Sequence, residues 1–340
     1  MAVSAETVAA VHAGDDATFG QLLEPHRREL QVHCYRMVGS LEDSEDLVQE
    51  TFLRAWRHRR TFAGRSSFRA WLYRIATNAC LDALERRPRA EAHEPTRPLA
   101  AVPWLQPYPD RLLDELTAAD DGPETELVEK ETIELAFIAA IQLLPPRQRA
   151  VLISRDILGW SAAESAQLLG VSVAAVNSAL QRARATMKRH LPRHRLDWET
   201  AQTSQRERAL LQRYVEAADA GDPTALVELL REDAFCAMPP SPEQWEGRED
   251  IIEAWVEGGF GDDSWGHLRC VVTSANRQPA VACYVKRAGD TEYRPLVLDV
   301  LRIEDEAVTE IAVFPLEPLL EALGLPRATR TSASRHSASL

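Results

Sequence analysis

Hydrophobic positions along this 340-residue chain change period once. As far as Arg195 they recur mainly every three or four residues, the mark of amphipathic helices, and beyond Gly266 they fall into short β-rich runs. From Ala17 to Arg87 the pattern predicts helices throughout, broken by turn signals at Gly39-Ser40 and Gly64. In LEDSEDLVQETFLRAW, Val48, Phe52, Ala55 and Trp56 fall at i, i+4, i+7 and i+8 and mark an inward face. Asp46, Glu50, Leu53 and Arg57 share another face, an acidic and partly apolar surface suited to a partner. The next run, TFAGRSSFRAWLYRIATNACLDALERR, interleaves Phe62, Arg65, Phe68, Arg69, Trp71, Tyr73 and Arg74. Aromatic faces stack on unpaired bases while arginines neutralise phosphate, so the composition suits single-stranded or melting DNA. Trp71 and Ile75 lie one helical turn apart, and part of this block is core.

Six prolines between Arg87 and Gly122 (88, 95, 98, 103, 107 and 109) predict an extended linker. Its stretch AVPWLQPYPDRLLDEL is too apolar for an idle tether, so Trp104, Leu105, Tyr108, Leu112 and Leu113 are expected to dock on a domain surface. From Pro123 the helical pattern resumes through Val128, Ile133, Phe137, Ile138 and Ile141 to a break at LPPRQR. A further helix is expected from Ala150 to Leu158.

Ser161 to Arg195 then carries two short helices joined by a turn. Ser161 and Glu164 have the spacing of a capping box, Gly170 suits a left-handed helix end, and Ser172 can cap the second helix. Val176, Leu180, Ala183 and Met187 form one apolar stripe, while Asn177, Gln181, Arg184 and Lys188 line a polar face. Six basic residues here (Arg182, Arg184, Lys188, Arg189, Arg193, Arg195) face one acid, Glu164. A capped helix, a glycine turn and a second helix turning basic are what a helix-turn-helix needs to enter a major groove.

Beyond Gln202 the pattern predicts helices at Glu207–Ala220, Ala225–Leu230 and Arg248–Gly258. HLRCVVTSAN, PAVACYVKR, RPLVLDVLRI and AVTEIAVFP follow as strands, so an α+β domain with a curved antiparallel sheet is expected. The Ser-rich tail 326–340 is expected to be disordered.

Net charge is −13, which alone argues against nucleic acid, but the distribution of that charge points the other way. Glu199 to Glu321 holds 25 acids against 11 bases, whereas Arg54 to Arg74 has seven arginines and no acid. The pattern is a nucleic-acid-binding front followed by an acidic module. Five cysteines without a C-x-x-C pair fit reduced thiols and a cytoplasmic location, and give no zinc-site spacing. No apolar run approaches the roughly 20 residues of a membrane span, and no secretory signal is evident.

Three long blocks, EDLVQETFLRAWRH, FRAWLYRIATNACLDALERR and LPPRQRAVLISRDILGWSAAESAQLLGVSVAAVNSALQRAR, resemble a bacterial sigma factor of the extracytoplasmic-function (ECF) group. The remainder is similar to the SnoaL-like, or NTF2-like, cone-shaped domain that some of these factors carry. The resemblance implies a multidomain fold: two all-α domains followed by an α+β NTF2-like cone. Sigma domain two would span 17–87, the proline-rich linker 88–122, sigma domain four 123–195 and the SnoaL-like domain 202–325. It implies that Asp46, Gln49, Glu50 and Leu53 bind core RNA polymerase, and that Arg65, Arg69, Tyr73 and Asn78 contact the minus-ten element. Ser172, Ala174, Asn177, Ser178 and Arg182 would reach minus-35 base edges, with Arg184 and Lys188 on phosphates.

In the acidic domain, His267, Asp299, Tyr284 and Asp219 are the candidates for catalysis, but no paired acid–base spacing can be argued. No catalytic residue, metal site, cofactor or membrane contact is therefore expected. A regulatory module fits better, acting by intramolecular docking or through a small ligand. Two alternatives stay open: a stand-alone helix-turn-helix regulator with a ligand-sensing domain, and an NTF2-like enzyme fused to a DNA-binding anchor.

Overall fold

The computed structural model describes residues 12–13, 15–62, 67–87, 97–117, 132–191, 205–262 and 264–328. The chain divides into two compact units, Met1–Tyr108 with Leu112–Trp198, and Pro109–Arg111 with Glu199–Leu340.

The first unit begins with four helices, three of them started by a side-chain cap. Asp15 caps α1 (Asp16–Leu23) by accepting from the Ala17 and Thr18 amides. α2 (Arg27–Val38) ends at Gly39, whose φ of 75° is the left-handed conformation that glycine adopts without strain. Ser40 caps α3 (Leu41–Arg57) and Ser67 caps α4 (Phe68–Arg86). Leu30, Met37, Leu72 and Ala76 are fully buried among these helices, and Phe62, Phe68 and Trp71 pack ring on ring at centroid distances of 5.2 to 5.6 Å.

The linker is received at the corner between α2 and α3. Gln106 donates its amide to the Gly39 carbonyl at 3.0 Å, and its side-chain oxygen accepts from the Ser40 hydroxyl and the Glu42 amide. Tyr35 Oη donates to the Gln106 carbonyl at 2.8 Å, and its ring lies 5.0 Å from that of Tyr108. Leu105 and Tyr108 are buried, while Trp104 is half-buried beneath the Arg87 guanidinium. α5 (Asp110–Thr117) comes next.

α6 (Leu135–Gln142) and α7 (Pro146–Leu152) continue the unit. The helix expected from Ala150 to Leu158 is instead the end of α7 followed by a π turn, Ile153–Ile157. Pro123 to Val128 and the tail beyond Ala328 lie outside the described residues. α8 (Ala162–Leu169) and α9 (Val173–His190) close the unit.

Arg149, 3% exposed in α7, joins the early and late helices. Its guanidinium donates to the Met37 carbonyl at the end of α2, to the Gln142 side-chain oxygen, and to the Gln142 and Leu144 carbonyls. Gln142 in turn donates to the Arg36 carbonyl at 3.1 Å.

The second unit is helical first, with α10 (Gln205–Ala220) and α11 (Pro223–Val227). Strands β1 (Leu230–Ala237) and β2 (Gln244–Glu246) precede α12 (Arg248–Glu257). β3 (His267–Ala275), β4 (Gln278–Lys286), β5 (Arg294–Glu304) and β6 (Ala307–Pro315) follow, and α13 (Leu320–Leu323) comes last. The sheet order is β2-β1-β6-β5-β4-β3. β1 runs parallel to β6, so the sheet is mixed rather than purely antiparallel as the strand pattern suggested. One face buries Leu210, Tyr214, Leu226 and Ile251 from the helices against Cys236, Val281, Leu301 and Ile311 from the strands.

Replacing Arg149 by Met leaves the Met37, Gln142 and Leu144 carbonyls without this donor. We expect a loss of about 3 kcal/mol in the chemical denaturation of the helical unit, the usual cost of orphaning a buried charged network. An effect below about 1 kcal/mol would show that water replaces the guanidinium freely.

Candidate polymerase and nucleic-acid interfaces

The helix-turn-helix is built by local chemistry. Ser161 Oγ accepts from the Glu164 amide at 3.2 Å, and the Glu164 carboxylate accepts from the Ser161 amide at 2.7 Å. Gly170 ends α8 at φ 64°, and Ser172 Oγ caps α9 by accepting from the Ala175 amide. Val176, Leu180, Ala183 and Met187 are buried, which turns the opposite side of α9 outward. Ser172, Ala174, Asn177, Ser178, Arg182, Arg184 and Lys188 are all exposed. Arg184 is engaged: it donates to both carboxylate oxygens of Asp156 in the π turn, at 2.9 and 2.6 Å.

On α3, Asp46, Gln49 and Leu53 are exposed and Glu50 is half-buried. Leu53 is 52% exposed, the highest value among the large hydrophobic side chains of the described residues. The flank of this surface is fixed by Arg54, which bonds Glu50 at 2.7 Å and Asp82 at 2.6 Å.

The aromatic–arginine block is more closed than its composition suggests. Arg65 lies outside the described residues, and Asn78 is exposed on α4. Arg69 donates to Glu29 Oε2 at 2.6 Å and stacks over the Tyr73 ring. Tyr73 donates to the same Glu29 oxygen at 3.2 Å; it is buried, and Trp160 packs 5.7 Å from its ring. In this conformation no base reaches the Tyr73 face, because Trp160 stands there. Burial pushes the Tyr73 hydroxyl well above its ordinary pKa. Burial works against the Glu29 carboxylate too, yet hydrogen bonds and charge from His26 and Arg69 hold its carboxyl below the usual range. Beneath them His33 is kept neutral, its pKa pushed down to about 3 by burial, and its Nε2 lies 2.9 Å from Thr77 Oγ1. Glu29 and Trp160 were not legible as site residues, since neither belongs to an Arg- or aromatic-rich run.

In the second unit the four catalytic candidates are not bonded to one another, although Asp219 and Asp299 both act on the Cys270–Cys283 pair. His267 is exposed at the start of β3. Tyr284 donates to the Pro326 carbonyl at 2.9 Å, and Asp219 accepts from the Cys270 amide at 2.6 Å. Asp299 lies on the helix-covered face of β5, where Tyr214 Oη donates to it at 3.0 Å. Burial raises the Asp299 pKa to about 7, outweighing the Tyr214 hydrogen bond that opposes the shift. Among the described residues no group of three or more His, Cys, Asp or Glu is arranged to hold a metal ion.

Two helical modules, the later ending in a helix-turn-helix, ahead of a helix-backed sheet define a DNA-binding protein with an appended α+β module. Residues 22–90 match the model of sigma-70 region 2, residues 134–187 that of sigma-70 region 4, and residues 211–311 that of the SnoaL-like domain. The chain is 43% identical over 319 residues to the ECF RNA polymerase sigma factor SigG of Mycobacterium tuberculosis, covering 91% of this chain and 84% of the relative. SigM of the same species is 36% identical over 188 residues, 55% of this chain and 84% of SigM. The crystal structure of the M. tuberculosis ECF sigma factor SigJ shares the fold with a TM-score of 0.56 at 20% identity, covering 90% of this chain and 99% of that one. The chain belongs to the ECF RNA polymerase sigma factors, with a SnoaL-like domain at its C-terminal side.

Asp299 makes the second unit sensitive to pH. Below its ordinary value near 3.8 the carboxyl is protonated in both folded and unfolded chains. As pH rises, the unfolded chain releases this proton first and the folded chain keeps it to about 7, so stability falls across that window and then levels off. Asp299→Asn is expected to flatten this part of the stability–pH curve, measured by denaturation of the full chain from pH 4 to 8. An unchanged curve would mean that another group carries it.

Proposed function

We propose that this sigma factor meets core RNA polymerase through Asp46, Gln49, Glu50 and Leu53, and reads promoter DNA in two places. The observation that carries the polymerase contact is Leu53, an apolar side chain half in water on a face shared with Asp46 and Glu50. Ser172, Ala174, Asn177, Ser178 and Arg182, exposed over the first half of α9, would address base edges of the minus-35 element. Arg184 and Lys188 would hold phosphates, and Arg184 would exchange Asp156 for them. Arg65, Arg69, Tyr73 and Asn78 would serve the minus-ten element. For Arg69 and Tyr73 that role requires release from Glu29 and Trp160.

We read the SnoaL-like domain as a regulator rather than an enzyme, because its buried carboxyl is held by Tyr214 while Asp219 and Tyr284 are bonded to the backbone. Its excess of 25 acids over 11 bases between Glu199 and Glu321 favours intramolecular docking on basic surfaces. A small ligand would enter the cleft of about 440 Å³ between Met238, Pro240, Val297 and Phe314. The site of action is the cytoplasm, where polymerase works. No helix of the described residues is long and apolar enough to cross a membrane.

Run-off transcription with purified core polymerase tests the reading. Leu53→Asp is expected to weaken co-purification with core polymerase at least tenfold while leaving the thermal unfolding of the chain within about 2 °C, since the position is exposed. Retained holoenzyme formation would remove α3 from the interface. A chain ending at residue 198 is expected to change promoter output severalfold relative to the full chain. Equal output over a range of salt and temperature would sink the regulatory role.

A further inference from the structure

Promoter reading makes no use of a thiol pair in the second unit. Cys270 in β3 and Cys283 in β4 are direct cross-strand partners, and their Sγ atoms lie 2.9 Å apart. The Cys270 amide does not enter the β3–β4 ladder, because it points off the sheet edge and donates to Asp219 Oδ1 at 2.6 Å. The pair is therefore of the non-hydrogen-bonded kind, whose Cα atoms approach to about 4.5 Å with side chains close together. That spacing falls within the roughly 4.4–6.8 Å between Cα atoms that a disulfide needs, so joining the sulfurs asks for no backbone displacement. The other half of the register agrees: Pro279, which has no amide hydrogen, occupies another position of the same alternation.

The two thiols differ in reach and acidity. β3 is the edge strand of the sheet, and Asp219, beside Cys270, is exposed. The hydrogen bond between the two sulfurs is the largest influence and favours the Cys270 thiolate, but burial and the charges of Asp219 and Asp299 together outweigh it and keep the Cys270 pKa above the ordinary thiol value. Cys283, raised by the same contact and more deeply buried, is pushed higher still. Burial also raises the Asp219 carboxyl, which makes it a better proton acceptor beside Cys270. Cys270 is thus the first sulfur to ionise when the edge opens, and edge openings are local events well below global unfolding.

We propose that Cys270 and Cys283 form a reversible thiol–disulfide site that closes on reaction with a small peroxide. Cys270, its proton passed to Asp219, attacks one peroxide oxygen, and the O–O bond breaks. The sulfur keeps that oxygen as a sulfenic acid, while the other oxygen recovers a proton and leaves as water. Cys283 then attacks the Cys270 sulfur, the S–O bond breaks, and the hydroxyl leaves with the Cys283 proton as a second water. The two sulfurs lose two electrons and the peroxide gains them.

Closure acts on a hairpin that holds part of the linker. At the tip of β3–β4, Ala275 pairs with Pro109, and the Arg277 amide donates to Asp110 Oδ1 at 2.7 Å. A cross-link five residues back from Ala275 stiffens the hairpin that makes both contacts.

The test uses the full chain and hydrogen peroxide. Titration of the denatured protein should show two of the five thiols lost, peptide mass mapping should show a single Cys270–Cys283 link, and dithiothreitol should restore all five. Hydrogen exchange at the Arg277 amide should slow severalfold in the oxidised chain. Cys270→Ser should keep its four thiols under the same treatment. Five surviving thiols, a link between Cys34 and Cys80 instead, oxidation stopping at a sulfinic acid, or unslowed exchange at Arg277 would each overturn the proposal. The wild-type chain carries the main readout, so a poorly folding variant cannot mask the result.

Discussion

Helix ends leave carbonyls in need of donors, and in the first unit two such ends meet at one side chain. α2 stops at Gly39 and α6 at Leu143, and each exposes backbone oxygens that no amide within its own helix can reach. Arg149 answers both, with Met37 on one side and Gln142 and Leu144 on the other. Its charge lies where both helix dipoles are negative, which favours a cation at that point. Burial alone would eject a guanidinium, and it does lower the Arg149 pKa to about 9. Fixed carbonyls and the Gln142 amide oxygen replace the lost water, and the group stays charged because an arginine gives up its proton only with great difficulty. Gln142 extends the network to the Arg36 carbonyl, and Gly39 leaves room for it: a Cβ there would stand 3.1 Å from the Gln142 side chain.

That network dictates what the surfaces can offer. With α7 pinned against the end of α2, the π turn after it delivers Trp160 onto Tyr73 and Asp156 onto Arg184. Two of the arginine and aromatic groups suited to DNA are therefore occupied by the chain itself, whereas the first half of α9 and the Leu53 face of α3 stay open. A nucleic acid that needs Tyr73 must bind the rearranged form more tightly by at least the free energy that separates the two forms.

The sequence was most legible where structure is local. The capping box at Ser161, the Gly170 turn, the Ser172 cap and the buried stripe of α9 depend on neighbours within four residues, and each appears where the spacing put it. Strands β3 to β6 were readable for the same reason, because two-residue turns such as Asn276-Arg277 and Asp305-Glu306 separate apolar runs. β1 was missed: LREDAFCA opens with three charged residues in its first four, and its parallel partner β6 lies some 70 residues away, so no turn announces the pair. Arg149 was invisible for a related reason. LPPRQR reads only as a break, and it is the position of Arg149 between two helix ends that makes it buried. Cys270 and Cys283 lie thirteen residues apart, and become neighbours only through the hairpin register.

The inner face of the SnoaL-like domain holds a carboxyl in an apolar core. Asp299 is surrounded by Tyr214 and a face that includes Cys236, Val281 and Leu301, and its pKa near neutrality follows from losing water. A shifted carboxyl is a functional pointer only when it opens on a cleft with a second group to exchange protons. Here the residue beside it is a phenol whose own pKa burial drives upward, and that phenol donates a hydrogen bond instead of competing for the proton. At neutral pH the pair is balanced between a neutral acid and a carboxylate held by one donor, so its charge depends on how completely water is excluded. A change in packing over the inner face would therefore be felt first at Asp299.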